Sequence, residues 1–157
     1  MIVMREFDKC LKERRIVKIR VSDEMITREI ESAEYDLHKA EESFLNEDYK
    51  WSSIQAYYSM FHAVKALVLQ KGYREKSHYC LLVALRELYV ETEELGSELA
   101  DNFELSMNFR KEADYAFIYD RESAEIALNY AVDILKQTRK LIKPKKIEKY
   151  SHEDEID

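Results

Sequence analysis

The residues with reach for a phosphate or a proton in this chain are few. Arg110 and Asp114 stand one helical turn apart in "FRKEADYAF", with Tyr115 next to them. His62 and His78 bracket "HAVKALVLQKGYREKSH", and Tyr58 precedes His62 by one turn. A helical period puts Arg110 on the stripe Leu99, Phe103, Ser106, Arg110, Ala113, Phe117, in line with apolar side chains. A guanidinium there must be paired, or must face a groove or a partner chain. One reading is an Arg110–Asp114 ion pair that fixes the helix to a neighbour. The other is an anion-binding arginine at a cleft, where its fork suits a phosphate.

Each histidine also has two readings. His62, between Phe61 and Ala63, packs near the core with one nitrogen hydrogen-bonded. His78 falls in the first turn of a helix, where the dipole disfavours an imidazolium; it is either a neutral base or a partly exposed side chain. His38, His62 and His78 have no ligand spacing for a metal, so no metal and no cofactor is expected. Two glycines cannot build a phosphate-cradling loop. No Ser-His-Asp or Cys-His signature is present.

The elements that must position these groups follow from composition. The 157 residues suit one domain, and with two Gly, one Pro and 36% charged residues the chain reads as long helices with solvated faces. Abundant Glu and Lys suit a thermophile. No apolar run approaches the ~20 residues of a membrane span, and "MIVMREFDKC" lacks the apolar core of a signal peptide. The expectation is a cytoplasmic protein away from membranes, with Cys10 and Cys80 as reduced thiols. The net charge of −7 argues against nonspecific nucleic-acid binding by the whole surface. Residues 1–20 carry seven Lys/Arg against three Asp/Glu, and residues 136–149 seven against one. If both ends fold to one side, they form a basic patch on an acidic protein; otherwise they are solvated charge runs.

Ser22 caps a first long helix, with Asp23 and Glu24 in its first turn and Ile26, Ile30, Ala33, Leu37, Ala40, Phe44 as its stripe. A second runs from about Trp51 to Gln70 and is closed by Gly72 in the left-handed conformation. Ser77 caps a third, carrying Cys80 to Leu88, and Ser97 caps a fourth. Asp120 or Ser123 starts a fifth, which Pro144 ends. Residues 5–14 form a short preceding helix. No stretch alternates long enough to indicate a sheet. Short links imply antiparallel neighbours, so the fold class is all-α: an up-and-down bundle of four to five antiparallel helices. Residues 1–142 form the single domain, and 143–157 a charged, flexible tail.

"AYYSMFHAVKALVLQKGYREKSHYCLLVALRELY", with "DKCLKERRIVKI" before it and "FRKEADY" after it, resembles the HEPN domain family of prokaryotes, and most of all the branch with an Arg-x-x-Ala-Asp-Tyr signature. The resemblance runs from about Asp8 to Leu141. It implies a helical bundle that is usually a homodimer, encoded beside a minimal nucleotidyltransferase in toxin–antitoxin modules. Many members are metal-independent ribonucleases whose motif is an Arg, four to six residues, then a His. The family arginine matches Arg110, while positions 115 to 117, where the His would fall, hold Tyr115, Ala116 and Phe117. Tyrosine, with a reference pKa near ~10, is a poor base at neutral pH. Tyr115 or Tyr119 matches the place of a tyrosine that such a nucleotidyltransferase modifies.

The expectation is therefore a dimeric binding module for a nucleotide, an RNA or a partner protein, with a groove formed by Arg110, Asp114, Tyr115, Tyr58, His62 and His78. The first alternative is an active metal-independent ribonuclease in which His62 or His78 serves Arg110 as the catalytic histidine. The second is a purely structural interaction protein.

Overall fold

The computed structural model describes residues 3–116 and 119–142, with side chains throughout except at 112–116. Its elements are α1 (Glu6–Lys12), β1 (Ile16–Lys18), α2 (Asp23–Leu45), α3 (Tyr49–Gln70), β2 (Tyr73–Glu75), α4 (His78–Leu85), a π-helical turn (Arg86–Val90), α5 (Ser97–Ala116) and α6 (Arg121–Leu141). The fold is an all-α bundle, as the helical periods indicate, with six α-helices among the described residues.

The boundaries follow capping chemistry. Ser22, Ser77 and Asp120 each accept a hydrogen bond from the backbone N–H three residues on, at Met25, Cys80 and Ser123. Asp48 does the same for Trp51, which starts α3 slightly before Trp51. Ser97 differs from expectation, lying inside α5 rather than capping it. The helix that follows Ser77 is α-helical only to Leu85 and then widens into the π-helical turn. Gly72 takes φ +91°, the left-handed geometry that ends α3.

The long helix α3 is the centre of the bundle, packed most extensively on α2 and α6. Ala33 and Ala40 on α2 are fully buried, and their small side chains let α3 approach closely. Ser59 Oγ donates to the Ala33 carbonyl at 2.7 Å and Ser52 Oγ to the Ala40 carbonyl at 2.8 Å. Both pairs fit one antiparallel register, so buried hydroxyls are satisfied while they fix the two helices. At the far end Tyr89 Oη donates to the Leu67 carbonyl at 2.6 Å, and Gln70 Nε2 to the Leu141 carbonyl at 3.0 Å, tying the π-helical turn, α3 and α6 together.

Two expectations are corrected. A two-stranded antiparallel ribbon is present, with Ile16 opposite Glu75 and Lys18 opposite Tyr73. Three-residue strands are too short to show a period of two. Cys10 and Cys80 are not reduced thiols but a disulfide joining α1 to the first turn of α4, across 70 residues of sequence, with Cα atoms 5.9 Å apart. The expected charged tail, and most of the basic run at 136–149, lie outside the described residues. No helix among the described residues is long and apolar enough to cross a membrane.

Candidate functional site

The site is built on the aromatic face of α3. Tyr57 is 2% exposed and stacks in parallel with Phe103 of α5, ring centroids 6.0 Å apart. Its hydroxyl lies 2.8 Å from His78 Nδ1. The His78 ring stacks on Phe61 at 4.3 Å. The chain folds this way because Tyr57 and Phe61 are one turn apart on α3, while the Ser77 cap fixes the start of α4 and with it His78. Burial holds the His78 imidazole below its ordinary pKa, and the cations Arg110, Lys111 and Lys65 add to that effect. Helix position was the reason visible in sequence; the causes that the structure adds are burial and these cations. Burial also raises the Tyr57 phenol far above its ordinary value, so it remains a neutral hydrogen-bonding group.

Arg110 closes this cluster from α5. Its guanidinium carbon lies 5.0 Å from the Tyr58 ring centroid and 5.7 Å from that of Tyr57, a cation–π arrangement on two faces. Arg110 Nε is buried without a hydrogen-bond partner, and no ion pair joins Arg110 to a carboxylate among the described side chains. The stripe reading that set Arg110 among buried residues therefore holds for Leu99, Phe103 and Ser106. The Asp114 and Tyr115 side chains fall outside the described ones, and so do Ala113 and Phe117.

His62 belongs to a different environment. Its Nδ1 lies 2.6 Å from Glu29 Oε2 and its Nε2 3.6 Å from Asp36 Oδ2, both carboxylates being on α2. Lys65 adds ion pairs to Glu29 and Glu75, each at 3.3 Å. Burial raises the Glu29 carboxyl, but the hydrogen bond from His62 and the charge of Lys65 outweigh it and leave the group below its ordinary value. Asp36 is shifted upward by burial, which the charge of His62 only partly offsets. The structure thus brings together Arg110, Tyr58 and His78 through Tyr57, and holds His62 against α2. Among the described residues, no three His, Cys, Asp or Glu side chains gather as a metal site.

Next to Arg110 a cavity of about 230 Å³ opens between α3, α5 and α6. Its walls include Tyr57, Phe109, Tyr119 and Tyr130, with Ile54 and Ile126 beside them, and Ser53, Ser106 and Ser123 supply hydroxyls. Tyr57, Phe61, Ser53 and Phe109 were missed by reasoning from charged residues alone. The signal that finds Tyr57 is its spacing from Ser53 and Phe61, one turn to each side on the inward stripe of α3.

Comparison with known proteins gives the family. A model of the HEPN domain matches residues 27–141. A protein named "Putative toxin MJ0142" from Methanocaldococcus jannaschii is 33% identical over 135 residues, 85% of this chain and 91% of that protein. A "UPF0332 protein" of Archaeoglobus fulgidus is 35% identical over 113 residues, 71% of this chain and 86% of its own length. One of the same name from Thermotoga maritima is 30% identical over 88 residues, 55% of this chain and 67% of its own. With its bundle, its Arg110 signature and a family model matched along most of its length, the chain belongs to the HEPN domain family.

Proposed function

We propose that this chain is the nucleotide- or RNA-binding component of a toxin–antitoxin-type system, acting as a homodimer beside a minimal nucleotidyltransferase, with Arg110 as its anion ligand. The toxin named among its relatives supports the system class. The observation that carries the site is Arg110 itself: a guanidinium laid on two tyrosine rings, its Nε buried and unpartnered, without a described counter-ion. A half-buried cation of this kind is stabilised by an incoming phosphate, which its fork can hold through two hydrogen bonds.

A second reading, metal-independent RNA cleavage, is favoured by the Tyr57–His78 pair. If His78 Nδ1–H donates its hydrogen bond to the Tyr57 oxygen, the Nε2 lone pair is left as base toward a ribose 2′-hydroxyl. Burial and nearby cations keep that imidazole neutral, the state a base requires. Arg110 then stabilises charge developing on the scissile phosphate. His62, with both nitrogens near carboxylates, is the weaker candidate for this role.

The test is RNA binding and RNA cleavage in EDTA by the purified chain, Arg110→Ala and His78→Ala. Binding weakened at least ~10-fold by Arg110→Ala is the expected outcome, the scale of losing a charge-assisted pair. Cleavage that also disappears in His78→Ala establishes the ribonuclease. Unchanged RNA binding in Arg110→Ala overturns both readings and leaves an interaction protein whose arginine serves packing.

A further inference from the structure

The cavity between α3, α5 and α6 has a chemical character that phosphate binding at Arg110 does not explain. At about 230 Å³ it is smaller than the roughly 300–1,000 Å³ of sites for drug-sized molecules. Its lining is aromatic and aliphatic, and its described polar groups are Arg110 and the hydroxyls of Ser53, Ser106, Ser123 and the tyrosines. Two residues of that lining hold a polar atom that is buried with no partner: Arg110 its Nε and Ser53 its Oγ. Ser53 is 6% exposed, so water does not readily satisfy its hydroxyl. The other orphaned side-chain atom among the described residues, Thr138 Oγ1, is not on this lining. Ser106, by contrast, already donates to the Asn102 carbonyl at 2.9 Å. Buried donors without partners are rare, and two on one cavity wall mark where acceptor atoms are missing.

We propose that this cavity is a binding site for a small apolar monocarboxylate, an aryl or branched aliphatic acid, whose carboxylate accepts from Arg110 and Ser53 while its hydrocarbon body fills the space between the rings. A carboxylate supplies two acceptor oxygens and one negative charge to two unpartnered donors and one cation. A nucleobase fits the lining less well: no described Asn, Gln, Asp, Glu or Lys side chain lines the cavity to read its edge, so its polar atoms would lose partners on entry. Leu105 and Ile126 line the cavity and are exposed at the surface, which gives an apolar acid a route in. The inference shares Arg110 with the proposed function but does not depend on RNA binding. An acid bound there occupies the same guanidinium as a phosphate and so competes with it.

The experiment is titration of the full-length chain, by calorimetry and ligand-observed NMR, with 3-phenylpropionate and 4-methylpentanoate, their primary amides, and uridine 5′-monophosphate. The acids are expected to bind at least ~10-fold more tightly than amides of the same shape, the difference a charge-assisted pair makes. Arg110→Gln is expected to abolish that preference, and Ser53→Ala to weaken the acids several-fold. Ile126→Trp, a change at an exposed position that leaves the core intact, narrows the mouth and is expected to weaken both acids; melting curves verify that each variant folds. Equal affinity for acid and amide, or acid binding indifferent to Arg110→Gln, overturns the proposal. Uridine monophosphate bound more tightly than either acid, and dependent on Ser53, makes the cavity a nucleotide site and overturns it too. RNA binding measured in Ser53→Ala and Ile126→Trp separates the two claims. Retained RNA binding with lost acid binding leaves both standing, while acid binding by a chain that never binds RNA removes only the proposed function.

Discussion

His62 and His78 lie on either side of Phe61, and the same ring contacts both: edge-on to His62 at 5.6 Å, stacked on His78 at 4.3 Å. Their surroundings are otherwise opposed. His62 is flanked by the carboxylates of Glu29 and Asp36 on α2. His78 packs between the Tyr57 and Phe61 rings, and its burial, followed by the charges of Arg110, Lys111 and Lys65, favours the neutral ring. One phenyl ring therefore separates a histidine that serves as part of an α2–α3 clasp from one hydrogen-bonded to a buried tyrosine. The difference shows that residue type fixes what a side chain can do, while the helix it faces decides what it does.

The comparison breaks most sharply by removing the aromatic side. Tyr57 stacks on Phe103, bonds His78 and supports Arg110, all from a position 2% exposed. Tyr57→Ala is expected to cost about 3–5 kcal/mol, the range for deleting a buried aromatic. Glu29→Gln, which keeps shape and removes only charge from the His62 clasp, is expected to cost well under half of that. Denaturant melts of the two variants measure both, and equal losses would mean the two histidine environments contribute alike to the fold.

The disulfide sharpens the same contrast, since it ends two residues from His78 and is remote in sequence from His62. A disulfide typically stabilises by about 2–4 kcal/mol, and the chain-entropy picture puts a loop of 70 residues just above that range, at about 4.4 kcal/mol. Replacing Cys10 and Cys80 together by Ala is expected to lose stability on that scale. It is also expected to move the His78 ring signals in NMR spectra while those of His62 stay in place. A double variant as stable as the parent, or shifts at both rings alike, would show that the α1 anchor does not set the position of His78. Phe7, packed edge-on to Tyr73 at 5.4 Å, and the Tyr79 hydrogen bond to Glu6 keep α1 docked when the bridge is absent.

These differences mark what a sequence can carry. The long helices were legible because Ser22, Ser77 and Asp120 announce their starts, and because Ala33, Ala40 and Phe103 recur at helical spacing. Arg110 was legible as an anomaly on an apolar stripe. The disulfide was not, because a pair of cysteines has no spacing rule of its own and only the docking of α1 on α4 brings them together. The ribbon escaped because three residues per strand hold no period. The Glu29–His62–Asp36 clasp was hidden because it depends on the register between α2 and α3, which Ser59 and Ser52 set through backbone carbonyls. The role of Tyr57 was hidden for a related reason: two adjacent tyrosines look alike in sequence until the packing of α4 and α5 selects one.

The smallest effect expected is a matter of pH. The folded pKa of His78 lies below the ordinary value of ~6.5 that holds in the unfolded chain. Above that value the ring is neutral in both states and contributes no pH dependence. As pH falls through ~6.5 the unfolded chain binds the proton first, so stability declines until the folded pKa is also passed. Glu29 has the opposite origin and a lower window. Its folded pKa is depressed, so the stability it contributes is complete above ~4.5 and is lost as pH falls through the folded value. Asp36, whose folded pKa is raised, opposes this by favouring the folded state once it is protonated. His78→Gln is therefore expected to flatten the stability profile just below pH ~6.5 and leave the lower limb, while Glu29→Gln does the reverse. Denaturation midpoints measured from about pH 2 to 8 decide it. A slope near neutral pH that survives His78→Gln would place the titrating group elsewhere than the Tyr57–His78 pair.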